Sequence, residues 1–239
     1  LEHDDKISYV MVGDIHHFFE SIDPAILKMT LAHYIKDKEL LDLLFQILDN
    51  YDEKGIALGG RLSPLLANLY LNDIDHHLAE ERRCHYYWRY MDNFFIFGYS
   101  KKWLHSIEDD LMAGLSEKGL NLNPGHGIMP IDETHGFDCL GYVVFKGHCL
   151  LRKSTKERMK RFFKNLDAKL DRQEILSDKE RSGMTSYMGM LKWCDSYNLR
   201  CKIVYPVFRH MRENDRWVQG LRSYRAFAER NGGIPNENE

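Results

Sequence analysis

The sequence predicts an α+β fold, with strands and helices mixed over residues 1–150 and helices alone over residues 151–239. Two observations support this for the first part. Apolar, β-prone runs end at Asp14 and surround Asp92, and apolar residues recur at helical spacing between them. A third observation sets the second part off, because the chain becomes strongly basic after Leu151. We therefore expect an antiparallel sheet packed on helices, followed by a separate helical region.

The strands are predicted from runs of β-branched and aromatic residues. The first is a buried strand over Ser8 to Ile15. Two aromatic runs, Cys84 to Tyr90 and Phe94 to Tyr99, are joined by Met91-Asp92-Asn93, which predicts a hairpin with Asp92 at an exposed tip. Further strands are expected at Leu120 to Leu122, Phe137 to Phe145 and Cys149 to Leu151.

The helices of the first part are predicted from capping residues and apolar spacing. They are expected at Pro24 to Ile35, Lys38 to Asn50, Ser63 to Arg82, and around Leu104, Ile107, Leu111 and Leu115. Ser63, which precedes Pro64, is expected to start the third helix, and Gly119 to end the fourth in a left-handed conformation. The third helix carries a buried stripe at Leu66, Tyr70, Ile74 and Leu78.

Composition excludes several classes of protein. The chain has 239 residues, 44% of them hydrophobic, so it can bury a core and is not of the disordered class. It has no apolar run long enough for a transmembrane helix, and we expect no membrane partner. The five cysteines form no Cys-x-x-Cys pair, and without a signal peptide we expect reduced thiols and a cytoplasmic location. The net charge of −3 gives no overall nucleic-acid signal, so any basic binding surface must be local.

A local basic surface is expected on the first helix of the second part, which Ser154 or Thr155 would cap and which would end near Leu170. Its candidate phosphate-binding residues are Lys153, Lys156, Arg158, Lys160, Arg161 and Lys164. They would bind a duplex without reading its sequence, or they would form a solvated charged face; the sequence leaves both open. A polar connector from Gln173 to Gly183 and helices through Tyr197 and from Pro206 to Arg230 follow.

Asp14 and Asp92 are the strongest chemical signal, because each stands at the end of a predicted strand. A folded sheet could bring both carboxylates to one edge, where they could bridge the two divalent metals that phosphoryl transfer to a sugar hydroxyl needs. The backbone carbonyl of Ile15 would add an oxygen ligand of the kind that Mg²⁺ prefers. Either aspartate alone would more simply be a strand end or turn residue. Together they indicate a nucleotide polymerase.

Four motifs in order resemble those of bacterial reverse transcriptases, the group that includes group II intron proteins, retrons and diversity-generating retroelements. The first is Asp14-Ile-His-His-Phe-Phe-Glu-Ser-Ile-Asp and the second is Ala57-Leu-Gly-Gly-Arg-Leu-Ser-Pro-Leu-Leu-Ala-Asn-Leu-Tyr-Leu. Tyr90-Met-Asp-Asn is similar to the family's Tyr-x-Asp-Asp box, and Phe137-Asp-Cys-Leu-Gly-Tyr to its primer-grip hairpin. The resemblance implies a polymerase palm over residues 1–150 and a helical thumb with the C-terminal helical region over 151–239, with the fingers largely absent.

The resemblance also implies roles for individual residues. Asp14, Asp92 and the Ile15 carbonyl would hold two Mg²⁺ ions, or Mn²⁺ in their place, with Asn93 as a further catalytic residue. Phe19 would exclude a ribose 2′-hydroxyl, although it or Phe18 could instead be a core aromatic. The nucleotide and template pocket would be formed by Leu58, Gly59, Gly60 and Arg61, where the glycines could alternatively form a simple turn. The implied partners are an RNA template, a DNA or RNA primer, deoxynucleotide triphosphates and, in some relatives, an accessory protein.

The sequence departs from the family's pattern in three places. Asn93 stands where a second aspartate is usual, which would lower metal affinity if that position is a direct ligand. Leu58 replaces the glutamine of intron-type members, whereas Ser63-Pro64 is intron-like, so the subtype stays open. Gly125-His-Gly replaces the lysine expected after Leu120-Asn-Leu-Asn-Pro, which makes His126 a candidate proton donor to pyrophosphate.

Two alternatives to a template-directed polymerase stay open at this point. Asn93 and the missing fingers would also suit a catalytically inactive RNA-binding or scaffolding relative. The same fold would also suit a template-independent polymerase of the phage-defence type. An RNA-dependent RNA polymerase is disfavoured by Phe19.

Overall fold

The computed structural model describes residues 7–50, 54–57 and 60–213, with side chains as far as Met211. The chain divides into two compact units, Leu1–Phe137 and Asp138–Glu239. Both contain helices and antiparallel strands, which confirms the α+β fold class. No helix in the described part of the chain is long and apolar enough to cross a membrane.

The first unit is built on a sheet of four strands in the order β2-β3-β1-β4, and every neighbouring pair is antiparallel. Its strands are β1 (Tyr9–Asp14), β2 (Tyr87–Tyr90), β3 (Asn93–Gly98) and β4 (Gly127–Pro130). Its helices are α1 (Phe18–Ser21), α2 (Pro24–Tyr34), α3 (Lys38–Asp49), α4 (Ser63–Tyr70), α5 (Asn72–His76) with a π-helical turn over His77–Glu81, and α6 (Lys101–Glu117).

One face of this sheet packs on the helices and forms the core of the unit. Met11, Ile15, Phe94 and Ile96 supply the sheet's part of the core. The predicted stripes on α4–α5 and on α6 are confirmed, since Leu66, Tyr70, Ile74 and Leu78 and the four apolar residues of α6 are all at most 6% exposed. Gly119 follows α6 with φ of +70°, as expected for a left-handed helix end.

The predicted start of the third helix is confirmed, since α4 begins at Ser63, whose buried hydroxyl donates to the Ala57 carbonyl over 2.6 Å. Two other local predictions for this unit are wrong. The strand expected at 120–122 is only a single bridge between Leu122 and Ile15, and the strand itself lies later, at β4. Asp92 is half-buried rather than an exposed tip, because Ile15 and Asn93 both hydrogen-bond it.

The second unit packs helices on a small three-stranded sheet in the order β5-β6-β7, in which β6 and β7 pair antiparallel. Its elements are β5 (Phe137–Cys139), whose first residue belongs to the first unit, β6 (Tyr142–Val144), β7 (Cys149–Leu151), α7 (Lys153–Asp171), α8 (Asp178–Leu191), α9 (Tyr197–Leu199), a π-helical segment over Arg200–Val204, and α10 (Tyr205–Glu213). Its core is formed by Met159, Phe163 and Leu166 of α7 with Leu191 and Phe208.

Two helix-start predictions for this unit are wrong. Neither Ser154 nor Thr155 caps α7, because the helix already begins at Lys153 and Thr155 is buried inside its first turn. The polar connector is shorter than predicted, since Ser177 and Glu180 form a capping box that starts α8. The last predicted helix begins at Tyr205, and the part of it beyond residue 213 lies outside the described residues.

Candidate active site

The site is built where β1 and β3 end side by side. The two strands pair so that Asp14 lies directly opposite Asn93. The Ile15 N–H donates to the Asp92 carbonyl over 3.0 Å, so Asp14 and Asn93 form a non-hydrogen-bonded pair, the type in which side chains approach more closely. Strand pairing therefore brings Asp14, Asp92 and Asn93 together, as the sequence predicted.

Each of the two carboxylates is held by a side-chain amide. Asn123 Nδ2 donates to Asp14 Oδ2 over 2.7 Å, and Asn93 Nδ2 donates to Asp92 Oδ1 over 2.8 Å. Within the described part of the chain, the second oxygen of each carboxylate accepts no hydrogen bond. The amides thus fix the orientation of each group while one oxygen stays available to a cation.

The Ile15 carbonyl points toward the Asp92 turn, which is formed by Met91 and Asp92 between β2 and β3. In an extended strand the N–H and the C=O of one residue point in the same direction. Because the Ile15 N–H binds the Asp92 carbonyl, the Ile15 oxygen faces this turn as well. The Ile15 side chain is buried in the core on the opposite face of the sheet, so its backbone alone can serve the site.

Asn123 and His16 extend the support of Asp14, and sequence reasoning missed both. The Asn123 N–H donates to the Asp14 carbonyl over 2.8 Å, so backbone and side chain of Asn123 hold the same aspartate. His16 Nδ1 lies 2.6 Å from Asn123 Oδ1. Since the Asn123 amide nitrogen already donates to Asp14, its oxygen is the acceptor and His16 Nδ1 is the donor. The available signal in the sequence was a pair of asparagines, Asn121 and Asn123, two positions apart in a β-prone run.

Both ring nitrogens of His126 lie close to other residues of the chain. Its Nδ1 lies 2.7 Å from the Asn123 carbonyl, and its Nε2 lies 3.7 Å from a Glu108 oxygen. Its Cβ would lie 3.3 Å from a Cβ built on Gly13, so His126 would have to shift by a few tenths of an ångström to admit a larger residue there. These contacts favour a structural role for His126 over the role of proton donor suggested by the sequence.

Phe18 and Phe19 lie in the short helix α1 rather than on a strand. Phe18 is buried, whereas Phe19 is half-buried and packs against the edge of the core. The Phe19 carbonyl accepts the Ile56 N–H over 2.9 Å, which ties α1 to the loop before α4. Phe18 is therefore the core aromatic, and Phe19 retains an exposed surface.

The loop before α4 is described only in part. Leu58 and Gly59 lie outside the described residues. A Cβ on Gly60 would lie 2.9 Å from Ser63 Oγ, so a larger residue there would require the Ser63 hydroxyl to shift. Arg61 is exposed at the start of α4.

The six candidate basic residues of α7 do not share one face. At 3.6 residues per turn, Lys153, Lys156, Lys160 and Lys164 fall within an arc of about 80°, and Arg161 and Arg158 lie progressively further round the helix. Lys156 and Lys160 line a cavity of about 470 Å³ together with Lys202 and Asn198. The charge there is partly offset, since Lys160 pairs with Glu157 at 2.7 Å and Asp195 also lines the cavity.

The donor set of the site fits magnesium. Among the described residues, no three carboxylate, imidazole or thiolate groups converge on one point. Mg²⁺ commonly binds through one or two carboxylates, keeps several waters and takes its other ligands from substrate phosphates. Two carboxylates with one backbone carbonyl match that pattern.

The chain is similar in sequence to one family of proteins and to one curated protein. Residues 1–143 match the family model for "Reverse transcriptase (RNA-dependent DNA polymerase)". The chain is 23% identical over 189 residues to Protein YkfC of Escherichia coli (strain K12), covering 62% of this chain and 48% of that protein.

Two solved structures have a similar fold. Apo telomerase from Candida tropicalis matches with a TM-score of 0.52 and 11% identity over 93% of this chain and 44% of that one. Telomerase from Candida albicans, in complex with a TWJ fragment of telomeric RNA, matches with a TM-score of 0.50 and 12% identity, over 94% of this chain and 41% of that one. The chain thus spans less than half the length of each relative, and at this identity the structures show a shared α+β polymerase fold alone. Because the family model covers more than half of the chain, the chain belongs to the reverse transcriptase (RNA-dependent DNA polymerase) family.

Proposed function

We propose that the chain adds deoxynucleotides to a primer on an RNA template, using a site built on Asp14 and Asp92. The observation that carries this proposal is the pairing of β1 with β3, which sets Asp14 opposite Asn93 and next to Asp92. Membership of the reverse transcriptase family supports the same reaction class.

Asp14, Asp92 and the Ile15 carbonyl would hold the two Mg²⁺ ions, with Mn²⁺ as a substitute. Bound there, the ions would supply charge stabilisation to the attacking primer oxygen and to the departing pyrophosphate. The chain's own contribution is orientation: Asn123 fixes the Asp14 carboxylate and Asn93 fixes that of Asp92. A prearranged pair of carboxylates reduces the reorganisation needed during the reaction.

Phe19 would select the sugar of the incoming nucleotide. Its ring is anchored on one side by the core, and its backbone is anchored by Ile56, so it can act as a fixed wall. A fixed aromatic wall would clash with a ribose 2′-hydroxyl and admit a deoxyribose. Leu58, Gly59, Gly60 and Arg61 would border the nucleotide and the template base in the same pocket.

The second unit would bind the nucleic acid through phosphates. The best candidates are the four lysines on one side of α7, Lys153, Lys156, Lys160 and Lys164, together with Lys202 across the cavity. Lysines contact phosphates as point charges and read no sequence. Arg158 and Arg161 point progressively away from this lysine stripe and would contribute less to the same duplex.

A single-nucleotide incorporation assay tests the proposal. A labelled primer is annealed to an RNA template and given Mg²⁺ with one deoxynucleotide at a time. We expect one addition with the complementary nucleotide and none with the others. Addition without a template would favour the template-independent polymerase, whereas tight RNA binding without addition would favour the binding relative.

A further inference from the structure

Arg89 is a charged residue in the middle of an otherwise aromatic strand, and its side chain is only 8% exposed. It follows Tyr87 by two positions, so both side chains point to the helix-facing side of β2, where a cation needs partners. Those partners come from α4, from α5 and from the turn that carries Asp92.

Every N–H of the Arg89 guanidinium has an acceptor. Nε donates to Asp75 Oδ1 over 2.8 Å, and Nη2 donates to Asp75 Oδ2. Nη1 donates to Asn68 Oδ1 and to the Met91 carbonyl, both at 2.9 Å, and Nη2 also reaches the Asn68 carbonyl at 3.5 Å. Arginine has five such donors in a fixed plane and lysine has three on one nitrogen, so lysine cannot reproduce this set.

The bond to Met91 acts on a strained position next to Asp92. Met91 has φ of +54°, a left-handed conformation that costs a side-chain-bearing residue about 1 kcal/mol or more. Arg89 holds the Met91 carbonyl, and Ile15 holds the Asp92 carbonyl. The carbonyl groups of both turn residues are therefore hydrogen-bonded. These two bonds fix the backbone of the turn and so the direction of the Asp92 side chain.

Asp75 is in turn held by Tyr87, whose hydroxyl donates to the same carboxylate. Burial, reinforced by the negative charge of Asp75, raises the pKa of Tyr87, so the phenol keeps its proton and remains a donor. Asn68 lies on α4, the helix that begins shortly after residues 58–61, which are the loop proposed to border the nucleotide. The network therefore ties the Asp92 turn to the helix that follows this loop.

We propose that Arg89 is a positioning residue that fixes Asp92 for metal binding by anchoring the Met91–Asp92 turn to Asn68 and Asp75. This inference rests on the proposed function, because it assumes that Asp92 binds metal. Arg89 itself contacts neither metal nor substrate; it acts through the turn.

The test measures Mn²⁺ affinity by calorimetry in the absence of nucleotide, using the chain, Arg89→Lys, Asn68→Ala and Asp92→Ala. We expect Arg89→Lys to weaken Mn²⁺ binding about 10- to 100-fold, in line with other changes to groups that orient metal ligands. Asn68 is exposed, so Asn68→Ala should fold and give a smaller loss. In primer extension, Arg89→Lys should lower kcat more than it changes KM for the nucleotide.

The matched control is Arg82→Lys. Arg82 pairs with Asp110 at 2.7 Å, between the π-helical turn and α6. Arg82→Lys should lower the melting temperature without changing Mn²⁺ affinity. If Arg82→Lys weakens Mn²⁺ binding as much as Arg89→Lys, the effect is a general loss of stability and the positioning role is wrong.

The two proposals fail in distinguishable ways. Equal Mn²⁺ binding by the chain and by Asp92→Ala would overturn the metal site and the role of Arg89 with it. Binding that depends on Asp92 but is unchanged in both Arg89→Lys and Asn68→Ala would overturn the role of Arg89 alone.

Discussion

Asp14 and Asn93 face each other directly across β1 and β3 as a non-hydrogen-bonded pair. In such pairs the Cβ atoms lie roughly 4.5–5.5 Å apart, so the Asn93 and Asp14 side chains are cross-strand neighbours, and the Asn93 amide donates to Asp92. A neutral donor therefore stands next to both aspartates, at a position where the family usually has a third acid. Asn93 should stabilise the metal-free site and weaken its attraction for cations.

Asn93→Asp should reverse that balance. The variant loses the bond to Asp92 Oδ1 and places a third negative charge beside the other two, so we expect it to lose about 1 kcal/mol of folding stability without metal. Its stabilisation by Mg²⁺ should exceed that of the parent, and primer extension should be faster. Thermal melts with and without Mg²⁺, with Asn93→Ala as the control, measure this. Equal Mg²⁺ stabilisation of parent and variant would contradict a role for Asn93 in setting metal affinity.

Asn123→Leu should weaken metal binding while the fold is retained. Leucine has nearly the same shape but cannot donate to Asp14 Oδ2, and losses of 10- to 100-fold are typical when a group that orients a metal ligand is removed. Asn121→Leu, an exposed asparagine in the same segment, is the control and should bind as the parent does. Calorimetry with Mn²⁺ reports the difference. Similar affinities for both variants would show that Asn123 does not orient Asp14.

Phe19→Ala should relax sugar selection. Removing the ring opens space for a 2′-hydroxyl, and discrimination of about 10- to 100-fold is the range that one steric contact in a pocket supplies. The assay compares incorporation of a ribonucleotide and its deoxynucleotide opposite the same template base. Phe18→Leu is the control: Phe18 is buried, so this variant should lose about 1 kcal/mol of stability and keep its sugar preference. Unchanged selection in Phe19→Ala would rule out the gate.

Glu180→Gln should remove an acid-sensitive part of the stability of the second unit. Hydrogen bonds from Lys169 and then from Ser177 lower the pKa of Glu180 from 4.5 to about 2. A lowered pKa stabilises the fold fully above the ordinary value and loses that contribution as pH falls toward the lowered one. The stability difference between parent and variant should be constant above about pH 5 and shrink between about pH 4.5 and pH 2. Chemical denaturation at several pH values measures it; a difference independent of pH would be evidence against the charged interaction.

The parts of the fold that the sequence predicts are those governed by local periodicity. The stripes of α4–α5 and α6 and the hairpin around Asp92 depend on residues close in sequence, and all are confirmed. The convergence of Asp14 with Asp92 was predictable because both stand at ends of strands that pair. The cap assignment to Ser154 or Thr155 failed, because a hydroxyl can be satisfied in more than one way and backbone geometry decides between them.

The supporting contacts of the site were not predictable in the same way. Asn123 reaches Asp14 over 109 positions, and Arg89 reaches Asn68 over 21, so neither pair leaves a local pattern. A single cue existed for Arg89, since a charged residue facing inward from an aromatic strand requires buried partners. Its five acceptors became identifiable only once α4, α5 and the turn were in place.

Primer extension with substitutions at both carboxylates tests the central claim most directly. The chain, Asp14→Ala, Asp92→Ala and the exposed-residue control Asp109→Ala would be given an RNA template, a primer, deoxynucleotides and Mg²⁺. We predict extension by the chain and by Asp109→Ala, and its loss in both site variants and on removal of Mg²⁺. Extension that persists in Asp14→Ala or Asp92→Ala would contradict a metal site formed by these two residues.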